Sequence, residues 1–118
     1  MKERLTVRVT DIIGSSLCVS ADDGQLVFEK IAPLMREGKK ITLSFDGAET
    51  IISSFLNAAV GQLYDEFSEE KVRLLLTVED MAQEDLQILK RVVENAKKYF
   101  AHKANYDRAW REEVGDVE

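Results

Sequence analysis

Along residues 4–10 (Arg4-Leu5-Thr6-Val7-Arg8-Val9-Thr10) polar and apolar positions alternate with a period of two. Leu5, Val7 and Val9 therefore face one way, and the stretch reads as a half-buried strand. Asp11 to Gly14 reads as a turn, and Leu17-Cys18-Val19 as a second, short strand. From Gln25 to Glu37 the spacing changes, and Leu26, Val27, Ile31, Leu34 and Met35 fall along one helical face. Asp22-Asp23-Gly24 supplies the carboxylates that cap exposed amides at a helix start. Pro33 lies inside this pattern, where its missing N–H and its ring predict a kink or an end. Gly38 is a helix stop, and Lys39 and Lys40 suit a carboxyl end.

Ile41, Leu43 and Phe45 alternate with Thr42, Ser44 and Asp46, which makes the clearest strand in the chain, and Asp46-Gly47 is a turn pair. Phe55, Leu56, Ala59, Val60, Leu63, Tyr64 and Phe67 then recur at three- and four-residue spacing. They predict a helix over 53–67, with serine as its N-cap. Val72, Leu74 and Leu76 alternate as another strand, and Leu75 suggests that this strand is covered on both faces. Asp80-Met81-Ala82-Gln83 has the spacing of a capping box. Leu86, Leu89, Val92, Val93, Ala96 and Phe100 mark the last long helix. Beyond it, residues 101–118 are polar, with Tyr106 and Trp110 four apart, and read as a helical extension or tail. Strand and helix alternate, so the expectation is one α/β domain over residues 1–100. Three or four strands with helices packed against them give an α/β or α+β sandwich with a small sheet, and any parallel pair takes a right-handed crossover.

Composition narrows the function classes. The 118 residues carry 16 Lys+Arg and 22 Asp+Glu, a formal net charge of −6, and are 45% hydrophobic. That is enough apolar material for a core and too acidic a balance for a dedicated nucleic-acid binder. No apolar run approaches the ~20 residues of a membrane span. The start, Met1-Lys2-Glu3-Arg4-Leu5, lacks the apolar stretch of a cleaved signal peptide. Cys18 is the single cysteine and His102 the single histidine. An internal disulfide, a thiolate metal cluster and most nucleophile–histidine pairs are thereby excluded.

There is no glycine-rich phosphate loop. The carboxylates at Asp22-Asp23, Asp46, Glu49 and Glu69-Glu70 sit at turns or helix starts, where solvated capping is their ordinary role. The sequence therefore predicts neither an enzyme nor a metal or cofactor site. What remains is Ser53-Ser54. Hydroxyls at a helix start lie near free amides and the positive end of the dipole, a place that tolerates an added phosphate. The alternative role of these serines is plain helix capping.

The run Ile41-Thr-Leu-Ser-Phe-Asp-Gly-Ala-Glu-Thr-Ile-Ile-Ser-Ser-Phe-Leu-Asn-Ala-Ala-Val-Gly-Gln-Leu-Tyr64 resembles the STAS-like family of uncharacterised bacterial proteins. So do the upstream Ile13-Gly14, Cys18-Val19-Ser20 and Asp23-Gly24, and the downstream segment from Glu84 to Lys97. The resemblance spans roughly residues 5–100 and implies an α/β fold with a small, mostly parallel four-stranded sheet and three helices packed against it. Its distant relatives are anti-sigma-factor antagonists, in which a partner kinase phosphorylates a hydroxyl of an aspartate–serine–serine/threonine–glycine element. By position, Ser53 and Ser54 match the two hydroxyl residues and become candidate phospho-acceptors. Ile52 stands where the aspartate would be, Phe55 where the glycine would be, and Ser44 where an acidic residue is usual.

The resemblance implies a non-catalytic regulatory module of the bacterial cytoplasm. It would bind a histidine-kinase-like ATPase or another regulator through Asp46, Gly47, Glu49, Thr50, Phe55 and Asn57. Two alternatives belong to other classes. One is a structural subunit pairing two copies through the tail with Tyr106 and Trp110. The other is a small-ligand or nucleotide sensor.

Overall fold

The computed structural model describes residues 4–115, with side chains described through Ala101. Strand β1 (Arg4–Arg8) lies beside β3 (Lys40–Ser44), and β3 beside β5 (Leu76–Glu79), all parallel and in the order β1-β3-β5. Leu5 is opposite Ile41, and Ile41 opposite Leu76. A second, two-stranded parallel sheet pairs β2 (Leu17–Cys18) with β4 (Thr50–Ile51). The mostly parallel α/β class is as expected, but the strands number five in two sheets rather than four in one. The short strand expected at Leu17-Cys18-Val19 is β2, but β4 was illegible because a two-residue strand carries no periodicity, and the β2–β4 pairing depends on a connection that only the folded chain provides.

Being central explains β3. Ile41, Thr42, Leu43 and Ser44 are all buried, because a middle parallel strand is covered on both faces. The side chains of Thr42 and Ser44, the polar members of the alternation, are held inside as well. On β1, the apolar face runs through Val7, and Val9 continues it from the first residue of α1 (Val9–Ile13). The expected turn at Asp11–Gly14 is the end of this short helix. Gly14 closes it at φ +67° with its N–H on the Thr10 carbonyl at 2.9 Å.

Helix α2 (Ala21–Arg36) starts earlier than predicted, and Ser20 is its cap. The Ser20 hydroxyl accepts from the Asp23 N–H at 3.1 Å, so the Asp22-Asp23 carboxylates contribute charge to the first turn rather than the cap bond. Pro33 does not stop the helix. It lies in the last turn, exposed, where it removes a single N–H bond and the chain runs on to Arg36. The stop is at Gly38, with φ +80°, where Lys39 N–H returns to the Leu34 carbonyl at 3.1 Å.

The expected single helix over 53–67 is three pieces. These are α3 (Ser53–Leu56), a π-turn (Asn57–Gly61) and α4 (Leu63–Glu66). Residues predicted as a strand from Val72 form α5 (Glu69–Leu75), capped by the Ser68 hydroxyl on the Lys71 N–H at 3.1 Å. Val72 and Leu75, three apart, are its buried face, while Leu74 is exposed. The strand follows only at Leu76. The last helix, α6 (Gln83–Gly115), begins past Asp80, which therefore does not cap it. Instead Asp80 adopts φ +62° and accepts from the buried Ser44 hydroxyl at 2.6 Å.

The core gathers Val27, Ile31 and Met35 of α2 with Ile41 and Leu43 of β3, Phe45, and Phe55, Leu56 and Leu63. Fully burying each such large apolar side chain is worth about 1.5–3 kcal/mol. Phe45 and Phe55 meet edge to face with ring centroids 6.5 Å apart. Helix α2 crosses the α3–π-turn segment at Gly24, where only a hydrogen fits. A Cβ there would sit 2.3 Å from the Phe55 carbonyl oxygen. Helix α6 packs more thinly, burying Val92 and Ala96 and half-burying Ile88, Leu89 and Val93.

Candidate functional site at the β3–α3 rim

The rim is built where the central strand ends. After Ser44 the chain buries Phe45 and turns at Asp46-Gly47, with Ala48 N–H on the Phe45 carbonyl at 3.0 Å and Gly47 at φ +87°. A side chain at Gly47 would be strained by that backbone, which is why glycine belongs there. The Asp46 carboxylate pairs with Arg8 at 2.6 Å, and its carbonyl accepts from the Thr10 hydroxyl at 3.1 Å. Its N–H donates to the Ser44 hydroxyl oxygen at 3.2 Å. The other end of the loop is tied by Ser16. The Glu49 N–H donates to the Ser16 carbonyl at 2.8 Å, and the Glu49 carboxylate accepts from the Ser16 hydroxyl at 2.7 Å. Thr50 then enters β4 opposite Leu17, and Ile52 N–H reaches the Cys18 carbonyl at 3.0 Å.

Helix α3 starts directly after this. Its N-cap position is occupied by Ile52, not by a serine, and Ile52 has no capping side chain to offer. Ser53 and Ser54 are the first two helical residues, and both are exposed. Among the described residues neither hydroxyl takes part in a hydrogen bond, whereas Ser20 and Ser68 do cap their helices. The capping role expected for the Ser53-Ser54 pair is therefore not the one they have.

Of the residues singled out from the sequence, Asp46, Gly47, Glu49 and Thr50 share one exposed loop that leads into Ser53 and Ser54. Asn57 is exposed one turn further on, at the start of the π-turn. Phe55 is different. It is fully buried against Phe45, so it supports the rim from beneath and presents no side chain to a partner. Tyr106 and Trp110 lie outside the described side chains.

Several rim residues carried no readable signal in the chain. Arg8, Thr10 and Ser16 pin the loop through contacts more than thirty positions away in sequence. Leu17 and Val19, read as a short strand, and Ile52, just before the expected helix, are 48%, 42% and 37% exposed. They lie on and beside the β2–β4 pair, whose inward face is taken by Cys18 and Ile51. The rim thus sets two uncommitted hydroxyls next to exposed aliphatic surface.

The remaining chemistry is quiet. Burial is the main cause that pushes the Cys18 thiol up to about 11, with Asp23 and then Asp85 adding to it, so the thiol is neutral at physiological pH. Among the described residues no group of three or more His, Cys, Asp or Glu side chains is arranged to hold a metal ion. Among them, too, no helix is long and apolar enough to cross a membrane.

Residues 23–86 match the family described as the STAS-like domain of unknown function (DUF4325). The chain belongs to this family. The matched span runs from the first turn of α2 to the first turn of α6 and so contains the whole Asp46–Ser54 rim of the STAS-like domain. No curated protein and no solved structure matches the chain.

Proposed function

We propose that this STAS-like domain is a non-catalytic regulatory module that binds a protein partner at the Asp46–Ser54 rim, with Ser53 or Ser54 as the phosphate acceptor. The observation that carries this reading is the pair of exposed, uncommitted hydroxyls beside Leu17, Val19 and Ile52. Exposed aliphatic side chains supply the apolar contact a partner needs, and Glu49 and the Arg8–Asp46 pair form a polar border. One phosphate adds about −1.5 to −2 charges, enough to reverse the preference for a partner at such a surface. Ser44, where the distant relatives carry an acidic residue, is hydrogen-bonded to Asp80, so a carboxylate is brought close to that place from another strand end.

The partner class this favours is a histidine-kinase-like ATPase or a comparable regulator, and the cytoplasm is the compartment where ATP-dependent phosphorylation would act. The non-catalytic part of the reading rests on the chemistry available. The one cysteine is buried and protonated, and among the described residues the hydroxyls of Ser53 and Ser54 have no carboxylate or other base in hydrogen-bond contact, unlike Ser16 on Glu49 and Ser44 on Asp80.

The experiment is incubation of the protein with ATP and a histidine-kinase-like ATPase from the same organism, read by intact mass and by co-purification. One added phosphate that disappears in the Ser53→Ala/Ser54→Ala double variant, with altered co-purification, supports the switch. An active ATPase that leaves the mass unchanged removes the switch. If Ile52→Asp also leaves co-purification unchanged, the rim is not the docking surface.

A further inference from the structure

A concave site lies one turn beyond the rim, between the π-turn and α6. It is a cleft of about 420 Å³ lined by Asn57, Gly61, Gln62, Asn95, Tyr99 and Phe100. Its size falls within the range of small-molecule sites. Its chemistry is unusual for this acidic chain, because its lining has no side chain charged at neutral pH and concentrates three carboxamides and two aromatic rings.

Each part has a physical origin. The π-turn widens the helix by one residue at Asn57–Gly61, a distortion that recurs at functional positions. Gly61 is buried and bare, and a Cβ on it would come 2.6 Å from the Asn57 Oδ1, so glycine lets the Asn57 amide lie flat at the cleft wall. The Gln62 amide nitrogen is spent on the Gln25 Oε1 at 2.5 Å and the Ala58 carbonyl at 2.8 Å, which fixes the side chain and leaves its oxygen as an oriented acceptor. Among the described residues the Asn57 and Asn95 amides make no hydrogen bond, so each keeps both a donor and an acceptor. Tyr99 is 62% exposed and stands edge to face on Phe100, with centroids 4.9 Å apart, an open ring face beside the amides.

Carboxamides read donor–acceptor edges, open aromatic faces stack on flat rings, and a site without charge prefers an uncharged ligand. We infer that this cleft binds a small, uncharged, planar heteroaromatic ring with a hydrogen-bonding edge, the chemistry of a free nucleobase or a nicotinamide-type amide. The cleft shares Asn57 with the residues singled out for partner binding, but the inference does not rest on that reading. It requires neither Ser53 nor Ser54, and a partner docked at the rim would leave the cleft's α6 wall unoccupied.

The test is an NMR titration of the full chain with adenine, hypoxanthine, cytosine, uracil and nicotinamide, one at a time. The expected result is saturable binding of at least one of them in the sub-millimolar range, with the side-chain amide resonances of Asn57 and Asn95 among those that move. Tyr99→Ala removes the stacking face and should weaken that ligand at least about tenfold. Asn95→Leu, also at an exposed position, should weaken it by a similar factor while the melting temperature of both variants stays at the wild-type value. No saturable binding of any probe up to millimolar concentration overturns the inference. Binding that is indifferent to both substitutions, or that moves resonances elsewhere, overturns it equally.

Discussion

Replacing Gly24 by alanine should destabilise the fold, although on an isolated helix it would do the opposite. Alanine is the better helix former by about 1 kcal/mol. In the folded chain, however, the new Cβ would lie 2.3 Å from the Phe55 carbonyl oxygen, 2.9 Å from the Ala58 Cβ and 3.2 Å from the Ala59 nitrogen. Carbon and carbonyl oxygen approach comfortably only to about 3.3–3.6 Å, so α2 must withdraw by about 1 Å. The first obstacle is backbone, which cannot rotate away, and the cost belongs at the upper end of overpacking, about 3 kcal/mol. Set against the propensity gain, the net loss is about 2 kcal/mol. For a chain of this length that is a drop of about 8–10 °C in Tm.

Far-UV circular dichroism melts of wild type and Gly24→Ala measure it. Gly38→Ala is the control, since Gly38 has φ +80° but open space around its Cβ, and backbone strain alone should cost about half as much. A Gly24→Ala protein that melts at or above wild type would refute the close crossing of α2 over α3, and with it the placement of the Ser53 rim. The same displacement should weaken the partner binding proposed for the rim, because the Phe55 carbonyl that moves belongs to the helix carrying Ser53 and Ser54.

Two further outcomes follow from the same geometry. Ser20→Ala and Ser68→Ala should each cost about 1 kcal/mol in urea unfolding, because each removes a cap bond, whereas Ser53→Ala and Ser54→Ala should stay within about 0.5 kcal/mol. Equal losses at all four would return the rim serines to a structural role. The Cys18 thiol, raised from 9.0 to about 11, should react with a thiol reagent at mildly alkaline pH at least about a hundredfold more slowly in the native protein than in urea. Because its folded pKa lies above the unfolded one, its contribution to stability is complete below pH 9 and is lost as pH rises from about 9 to about 11. A stability that stays flat across that window would show the thiol to be accessible to water.

The segments read correctly from the chain are those in which local pattern and burial agree. Ile41, Leu43 and Phe45 alternate, belong to the central strand and are buried. The α2 stripe of Val27, Ile31 and Met35 is likewise both periodic and buried. The segment from Val72 to Leu76 was misread because alternation there is accidental. Ser68 followed by Glu69 and Glu70 is a helix start, and Val72 with Leu75 has helical spacing, so the capping signal outweighs the apparent period of two. At the rim, the loop and the exposure of Ser53 and Ser54 were legible from turn chemistry and helix start. Phe55 was misplaced because an aromatic residue next to two serines looks identical in sequence whether it faces a partner or the core.

The chain by itself determined where most elements lie and which hydroxyls begin the third helix, since these follow from spacing and turn residues within a few positions of one another, while the parallel run of the strands was implied only by the family resemblance. Only the tertiary structure decided that β2 pairs with β4, that Ile52 rather than a serine takes the cap position, that a π-turn interrupts the helix, and that α6 closes a cleft over it. Those features depend on contacts between residues distant in sequence, such as Ser16 with Glu49 and Gly24 with Phe55, and local periodicity contains no term for them.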